Sequence, residues 1–223
     1  MNLDIKGKKV LVTGGSHGIG LAIKKELKAE GCKVYSVSRG EGFDVLNTTD
    51  IVRVIDHFTE NGHLEIDILI NNVGGGGRWG TPIPHEAYYK VWDDVYKKNA
   101  KVAYLLTMDA LPYMMGQNWG RVITIASVYG KEGGGRPWFT MAKAAEIALM
   151  KTLALQPEYQ EHNITFNSIA PGPIWIEGKE QDKYERYGQP EDVAGIVAFL
   201  CSDRARWING ACITVDGGFS RSF

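Results

Sequence analysis

The feature that most limits the possible folds is a regular alternation of short β-rich runs and helical patterns. Runs such as KKVLVTG, CKVYSVS and GRVITIAS are separated by segments with apolar residues at helical spacing, such as IGLAIKKELKAEG. This alternation predicts parallel strands joined by right-handed crossover helices, with helices on both faces of the sheet. We therefore expect one α/β domain over residues 1–223, built on a doubly wound parallel sheet of about seven strands.

Composition limits which binding partners and which cellular compartment are to be expected. The chain has 25 Lys and Arg against 26 Asp and Glu, so no basic face for nucleic acid or a membrane surface is expected. Its longest apolar run, AGIVAFLC, is too short to cross a bilayer, and the N-terminus has no apolar signal segment. The three cysteines, Cys32, Cys201 and Cys212, are too widely spaced for a metal knuckle. We expect a soluble, cytoplasmic protein with no metal.

Chemically suggestive residues follow four of the predicted strands. Glycines follow VLVT, NNVGGGG follows ILI, Ser127 follows VITIA, and PGPIW follows ITFNSIA. Ligands of open α/β sheets bind outside the carboxyl ends of the strands. These four segments therefore predict one binding site at that edge.

The first of these segments, VTGGSHGIG, links a strand to a helix. Glycines there allow a tight turn and a close approach of the backbone to a pyrophosphate, and helix amides attract its charge. The expected binding residues in this loop are Gly14, Ser16, His17, Gly18, Ile19 and Gly20.

The end of the second strand predicts which dinucleotide binds. An acid at this position would bind the 2′-hydroxyl of NAD, but this chain has Ser38 and Arg39. A hydroxyl and a guanidinium suit the 2′-phosphate of NADP, and His17 is a second candidate donor. We therefore expect NADP rather than NAD; the alternative is that Arg39 is a solvated surface arginine.

At this point the chain resembles the short-chain dehydrogenase/reductase family over Lys9–Gly218. TGGSHGIG resembles the cofactor loop of the family, NNVG its Asn-Asn-Ala-Gly element, and PGPI and VDGG two later elements. Asn99, Ser127 and Lys143 match its catalytic asparagine, serine and lysine. The resemblance further implies cofactor contacts by Asp44, Val45, Asn72, Gly74, Lys143, Pro171, Gly172 and Ile174.

The resemblance implies a Rossmann-type domain, usually a homodimer or homotetramer, that transfers hydride between NAD(P) and a carbonyl or alcohol. In the family a tyrosine donates the proton, and the nearby lysine lowers the pKa of that tyrosine. The lysine also binds the nicotinamide ribose, the serine holds the substrate oxygen, and the asparagine holds a relay water.

One departure concerns the proton donor itself. Phe139 lies four residues before Lys143, where the family has its tyrosine, and it cannot donate a proton. Since Asn99, Ser127 and Lys143 remain, we expect a disabled form of an active enzyme. The alternatives are a nucleotide-binding pseudoenzyme, or a lyase or isomerase on the same scaffold. Tyr129 is expected to line the pocket rather than to replace the lost hydroxyl.

Three further departures concern loop lengths. Only GEGF separates Arg39 from Asp44, where the family usually has a helix and a strand, so a helix is expected to be absent. Ser127 and Phe139 are twelve positions apart, one fewer than is commonest. The loop after PGPI is short, and the threonine that often holds the nicotinamide amide falls at Ile176.

The expected pocket rim contains arginines and aromatic residues. These suit an anionic, partly flat small molecule, such as a sugar or a nucleotide-linked sugar. Ion pairs with local acids or with a neighbouring subunit are an equally good explanation of the arginines. The residues concerned are Arg78, Trp79, Arg136, Trp138 and Trp175.

Overall fold

Six parallel strands form one sheet in the computed structural model, which describes residues 2–44, 46–57, 65–76, 83–177 and 186–222. Their spatial order is β2-β1-β3-β4-β5-β6. The strands are β1 (Lys9–Thr13), β2 (Lys33–Val37), β3 (Ile68–Asn71), β4 (Gly120–Ile125), β5 (Ile164–Pro171) and β6 (Cys212–Val215).

The helices connect consecutive strands. They are α1 (Gly18–Ala29), α2 (Thr48–His57), α3 (Tyr88–Tyr96), α4 (Val102–Gly116), α5 (Pro137–Ala154), α6 (Pro157–Glu161) and α7 (Pro190–Leu200). Two helix starts follow from local chemistry: Pro137 occupies the first turn of α5, and a capping box of Gln189 and Asp192 opens α7.

The strand count differs from about seven because the connection after β2 is short. Between β2 and α2 the described residues contain one short helical element, the 3₁₀ turn Arg39–Glu41. Four residues between Arg39 and Asp44 cannot form both a helix and a strand. Within the described residues, β2 is therefore the edge of the sheet, and the helix expected to be absent is absent.

Helices cover both faces of the sheet, as predicted. On one face, residues of α1 and α7 such as Ile23 and Val197 pack with Val10 and Ile70 of the strands. On the other face, α2, α4 and α5 pack against strand residues such as Phe166. Because β1, β3, β4 and β5 are buried on both sides, they appear in the sequence as continuous apolar runs.

The long helical region has an irregular centre. A π-helical turn, Lys97–Lys101, joins α3 to α4, and Asn99 lies in its middle. Such turns insert an extra residue into a helix and are frequent at functional sites. Here the turn places Asn99 among buried groups near the carboxyl end of β3.

Two further observations concern membranes and metals. No helix in the described part of the chain combines the length and the apolar content needed to cross a bilayer. Cys32 and Cys201 are buried, Cys212 is half-buried, and all three are free thiols. No cluster of three or more His, Cys, Asp or Glu side chains is found among the described residues.

Candidate active site

The site lies where the strand order reverses. β1 pairs with β2 on one side and with β3 on the other, so the loops after β1 and β3 lie at the switch point where open α/β sheets bind their ligands. The hydroxyl of Thr13 ties the two loops together, because it accepts hydrogen bonds from the backbone amides of Asn72 and Val73 at 2.9 and 3.0 Å. The predicted convergence of these two segments is therefore observed.

The glycine loop has the shape that a phosphate cradle requires. Gly14 and Gly18 have φ angles of 71° and 53°, which side-chain-bearing residues rarely adopt. A Cβ on Gly20 would overlap the carbonyl of Gly14 and the amide of Asn72. His17, the N-cap of α1, makes no side-chain capping bond, and both His17 and Ser16 are exposed. The loop and the first turn of α1 therefore fit a pyrophosphate.

The segment after β5 closes over this loop. Ile174 pairs with Gly188 in an isolated bridge, and the amide of Gly172 donates to Val215 at 3.0 Å. The side chain of Ile176 lies 3.4 Å from where a Cβ on Gly18 would be. Ile176, at the expected threonine position, is therefore an apolar contact of the phosphate loop rather than a hydrogen-bonding group. Pro171 ends β5 and is buried.

An acid that the sequence analysis did not single out lies at the end of β2. Glu41 accepts hydrogen bonds from Ser36 at 2.6 Å, from Ser38 at 2.8 Å and from Lys24 at 3.4 Å. Burial raises the pKa of Glu41, but the two hydroxyls and the charge of Lys24 outweigh it and lower the pKa below its usual value. Ser38, expected to bind the cofactor, is thus engaged by a charged carboxylate.

Two cations face the same region. Arg39 is exposed in the 3₁₀ turn, and Lys98 is half-buried in the π-helical turn. Burial lowers the pKa of Lys98, Asp94 raises it, and Arg39 lowers it further through like-charge repulsion. Within the described ranges, the side chains of Arg39 and Lys98 make no hydrogen bond or ion pair. The repulsion between them would be relieved by an anion.

Asp44 has a local structural role. Its carboxylate accepts from the amide of Leu46 at 3.0 Å, and its own amide donates to Asp50 at 3.0 Å. These bonds hold the turn into α2. Val45, expected beside Asp44 at the adenine, lies outside the described residues.

The ammonium of Lys143 lies beside Gly74, in the loop after β3. Its ammonium donates to the carbonyl of Ile125 at 2.8 Å and to the carboxylate of Glu146 at 2.8 Å. A Cβ on Gly74 would lie 3.0 Å from this ammonium and 2.5 Å from Oδ1 of Asn99. Gly74 is therefore the small residue that allows the lysine, the asparagine and the loop after β3 to meet.

The side chains of Asn99 and Ser127 differ in how many of their polar atoms are already hydrogen-bonded. The amide of Asn99 donates to Val95 at 2.6 Å and to Gly75 at 3.1 Å, and its oxygen accepts from Gly75 at 3.1 Å. The hydroxyl oxygen of Ser127 accepts from the amide of Tyr129 at 3.2 Å. Its proton remains available to a ligand, because no described group accepts it. The turn Val128–Gly130 packs on α5, since a Cβ on Gly130 would lie 2.8 Å from the backbone of Lys143.

Comparison with known proteins agrees with this geometry. A family model described as enoyl-(acyl carrier protein) reductase matches residues 14–220. The chain belongs to the short-chain dehydrogenase/reductase family. It is 32% identical to a 3-oxoacyl-[acyl-carrier-protein] reductase of Aquifex aeolicus over 257 aligned positions, which cover 98% of this chain and 99% of the relative.

Two other relatives show how varied the family is. Dehydrogenase/reductase SDR family member 4 of Sus scrofa is 32% identical over 96% of this chain and 88% of its own length. A 2-dehydro-3-deoxy-D-gluconate 5-dehydrogenase of Escherichia coli is 30% identical over 97% of this chain and 96% of its own length. The protein is thus an oxidoreductase of this family by relationship, and its relatives differ in substrate.

Against the family pattern, Phe139 changes the acid–base chemistry. It lies in the first turn of α5, one turn before Lys143, and its ring centroid is 5.8 Å from the lysine nitrogen. The ring is half-buried, so an aromatic surface lies one turn before Lys143. A phenyl ring has no proton to donate, and the lysine therefore faces an apolar neighbour.

Glu146 is a second residue that the sequence analysis missed. Its side chain is 2% exposed and that of Lys143 is 5% exposed, so the ion pair is withheld from solvent. Burial raises the pKa of Glu146 to about 7, although Lys143 lowers it. The available signal was an acid three residues after Lys143 in an otherwise apolar helical stretch, since this spacing places both on one helix face.

The expected substrate residues are only partly described. Arg136 is buried at the N-cap of α5, and its guanidinium lies 5.5 Å from the ring centroid of Trp138. Trp138 donates to the carbonyl of Gly76 at 3.2 Å and so joins α5 to the loop after β3. Trp175 is exposed and packs edge-on against Tyr187. Two more rim residues lie outside the described residues, namely Arg78 and Trp79.

Proposed function

We propose that this protein transfers hydride between NADP(H) and a carbonyl or alcohol of a polar, sugar-like substrate. The observation that supports this most directly is the arrangement around Lys143. Its ammonium lies beside Gly74 and Asn99 and donates to the carbonyl of Ile125, two residues before Ser127, at the strand edge that also holds the glycine cradle. Such an arrangement suits a reaction in which negative charge develops on a substrate oxygen.

The residues present fit a dinucleotide. Backbone amides of the glycine loop and of α1 would hold the pyrophosphate, and the third N–H of Lys143 points to no acceptor among the described groups. That N–H is suited to a ribose or substrate hydroxyl. The bound nicotinamide supplies or accepts the hydride. Ser127 would orient the substrate oxygen through its free hydroxyl proton.

The choice of NADP(H) rests on Arg39 and Lys98. Their mutual repulsion favours an anion with two negative charges between them, and a 2′-phosphate has that charge. Glu41 opposes this preference, but it is neutralised by Lys24 and held by Ser36 and Ser38. Lys24, Arg39 and Lys98 are opposed by two carboxylates, Glu41 and Asp94, and Asp94 is itself paired with Lys90.

The polar substrate is supported by the rim. Arg136 lies at the N-terminus of α5, where the helix dipole adds to its charge, and Trp138 offers an aromatic face beside it. A sugar acid or another anionic sugar would use both features. The relative named for 2-dehydro-3-deoxy-D-gluconate shows that the family includes such a protein.

Phe139 provides the experiment. Phe139→Tyr places a hydroxyl near the ammonium of Lys143, which lowers the pKa of that hydroxyl. We expect turnover to rise by roughly 10²-fold or more, with NADPH affinity unchanged. The assay is NADPH oxidation on a panel of keto sugars, keto sugar acids and simple ketones, for both proteins. If Phe139→Tyr gains nothing on a compound shown to bind, a nucleotide-binding pseudoenzyme, lyase or isomerase replaces this proposal.

A further inference from the structure

Lys143 could be held in place without its ion pair to Glu146. The lysine already has a neutral backbone acceptor in Ile125, and burial of a carboxylate is costly unless it is fully compensated. Glu146 nevertheless lies fully inside the protein, with its carboxylate 2.8 Å from the ammonium. A residue of this kind beside a missing proton donor suggests a link to the lost tyrosine.

We propose that Lys143 and Glu146 together supply the proton that Phe139 cannot, with Lys143 as the donor to the substrate oxygen and Glu146 as its proton source. This inference rests on the proposed function. It assigns the proton transfer of this chain to a pair of groups in α5. In this proposal Glu146 does not touch the substrate. It positions Lys143 and supplies the proton that Lys143 passes on.

The protons balance in three steps. The carbonyl carbon accepts a hydride from a reduced nicotinamide dinucleotide, and the C=O π pair moves onto oxygen. The oxygen then takes a proton from an N–H of Lys143, which becomes a neutral amine. The carboxylic acid of Glu146 returns a proton to that amine across the 2.8 Å contact. After product leaves, Lys143 passes a proton back to Glu146 and takes another from water that enters the vacated substrate space.

The geometry permits each transfer. Two of the three N–H groups of Lys143 are used by Ile125 and Glu146, so one remains for a ligand in the space beside Gly74 and Phe139. The centroid of the Phe139 ring lies 5.8 Å from the nitrogen of Lys143. Because the ring has no hydroxyl, it does not compete with a substrate oxygen for that N–H.

The protonation state of Glu146 suits a proton source near neutral pH. Lys143 is the charged group that faces it; β4, β5, α3, the π-helical turn and the turn Val128–Gly130 also pack against α5. None of their ionisable side chains shifts the pKa of Glu146, which responds to burial first and then to Lys143. With a pKa of about 7, the carboxyl is available in both forms at neutral pH.

The first test needs no substrate. In protein labelled with ¹³C at the glutamate carboxyl carbons, the signal that Glu146→Gln removes should titrate with a midpoint near pH 7. Lys143→Met should move that midpoint upward, because the cation favours the carboxylate. A midpoint near the ordinary value of a glutamate would overturn the proposal, whatever the activity of the protein.

The second test measures NADPH oxidation with a keto compound that binds. Glu146→Gln should lower turnover at least tenfold and abolish its decline as pH rises through 7, with Glu158→Gln, an exposed acid in α6, as the matched control. Glu146→Asp, which keeps the carboxyl, should retain the pH dependence even if the shorter side chain lowers the rate.

The results separate the two proposals. If Phe139→Tyr is active while Glu146→Gln behaves like Glu158→Gln, the proton-supply pair is wrong and the proposed function stands. The same conclusion follows if Phe139→Tyr is active on a compound that the unaltered chain binds but does not reduce at all. If neither protein binds NADPH, the proposed function fails.

Discussion

The hydroxyl of Ser38 donates a 2.8 Å hydrogen bond to the carboxylate of Glu41, so the residue at the end of β2 is occupied by an acid from the following turn. An acid at this place ordinarily binds the 2′-hydroxyl of NAD and repels a 2′-phosphate. Here Lys24 also contacts Glu41, at 3.4 Å. Cofactor preference therefore depends on the balance between Glu41 and the cations around it.

This balance can be altered one charge at a time. Glu41→Gln should tighten NADPH binding by several-fold and weaken NADH binding, because a carboxylate repels a 2′-phosphate and accepts a hydrogen bond from a 2′-hydroxyl. Arg39→Asp should shift the preference toward NADH. Calorimetric titration with both cofactors measures these effects, and equal or tighter NADH binding by the unaltered chain would contradict the NADP(H) proposal.

Lys98 should take part in the same preference. Lys98→Met removes a half-buried cation that Arg39 repels, so NADPH binding should weaken about tenfold while NADH binding changes little. Lys90→Met, in the exposed pair with Asp94, is the matched control and should alter neither affinity. A uniform loss of both cofactors in Lys98→Met would indicate a structural role instead.

Gly74 should tolerate no side chain. In Gly74→Ala the new Cβ would be 2.5 Å from the oxygen of Asn99 and 3.0 Å from the ammonium of Lys143, so one of these groups must move. We expect turnover to fall at least tenfold, with a stability loss of about 1–3 kcal/mol. Turnover is measured by NADPH oxidation and stability by urea unfolding.

A second glycine gives the opposite expectation and serves as the control. Gly195 is exposed in α7 and a Cβ there would meet nothing within 4 Å. Gly195→Ala should stabilise the protein by about 0.5–1 kcal/mol, because alanine loses less backbone entropy in a helix. Its turnover should be unchanged. A loss of activity in both variants would show that the effect at Gly74 is not local.

Stability should depend on pH through Glu146. Its pKa is raised from 4.5 to about 7, so between these values the folded protein holds a proton that the unfolded chain does not. The free energy of unfolding should therefore fall as pH rises from 4.5 to 7, by on the order of 2–3 kcal/mol from this residue. The difference between the unaltered chain and Glu146→Gln in urea unfolding isolates this slope, and parallel pH curves would contradict it.

Assembly is a further proposal. α4 and α5 expose Tyr104 and Met141, which are 48% and 54% accessible, and we propose that this face contacts a second copy of the chain. Light scattering at micromolar concentration should exceed the 24.7 kDa of one chain. Tyr104→Glu should weaken the assembly, whereas Trp207→Ser, an exposed aromatic outside α4 and α5, should not. A monomer at these concentrations would contradict the proposal.

Much of the fold could be predicted because it depends on local pattern. The alternation of apolar runs and helical periodicity predicted the parallel sheet with helices on both of its faces. The placement of the glycine loop and of the loop after β3 at one edge follows from the direction of parallel strands. The short connection after β2 could be predicted because only four residues separate Arg39 from Asp44.

The remaining parts were decided by contacts between residues distant in sequence or by burial. Glu41 reaches Ser36 and Ser38 only because the 3₁₀ turn folds back on β2, and Lys98 approaches Arg39 only because the π-helical turn packs there. The sequence by itself placed Phe139 where the resemblance implies a tyrosine, and the three-residue spacing of Lys143 and Glu146 puts both on one helix face, although Glu146 was not singled out. Only the tertiary structure excluded water from that pair, and this burial is what raises the pKa of Glu146 toward neutrality.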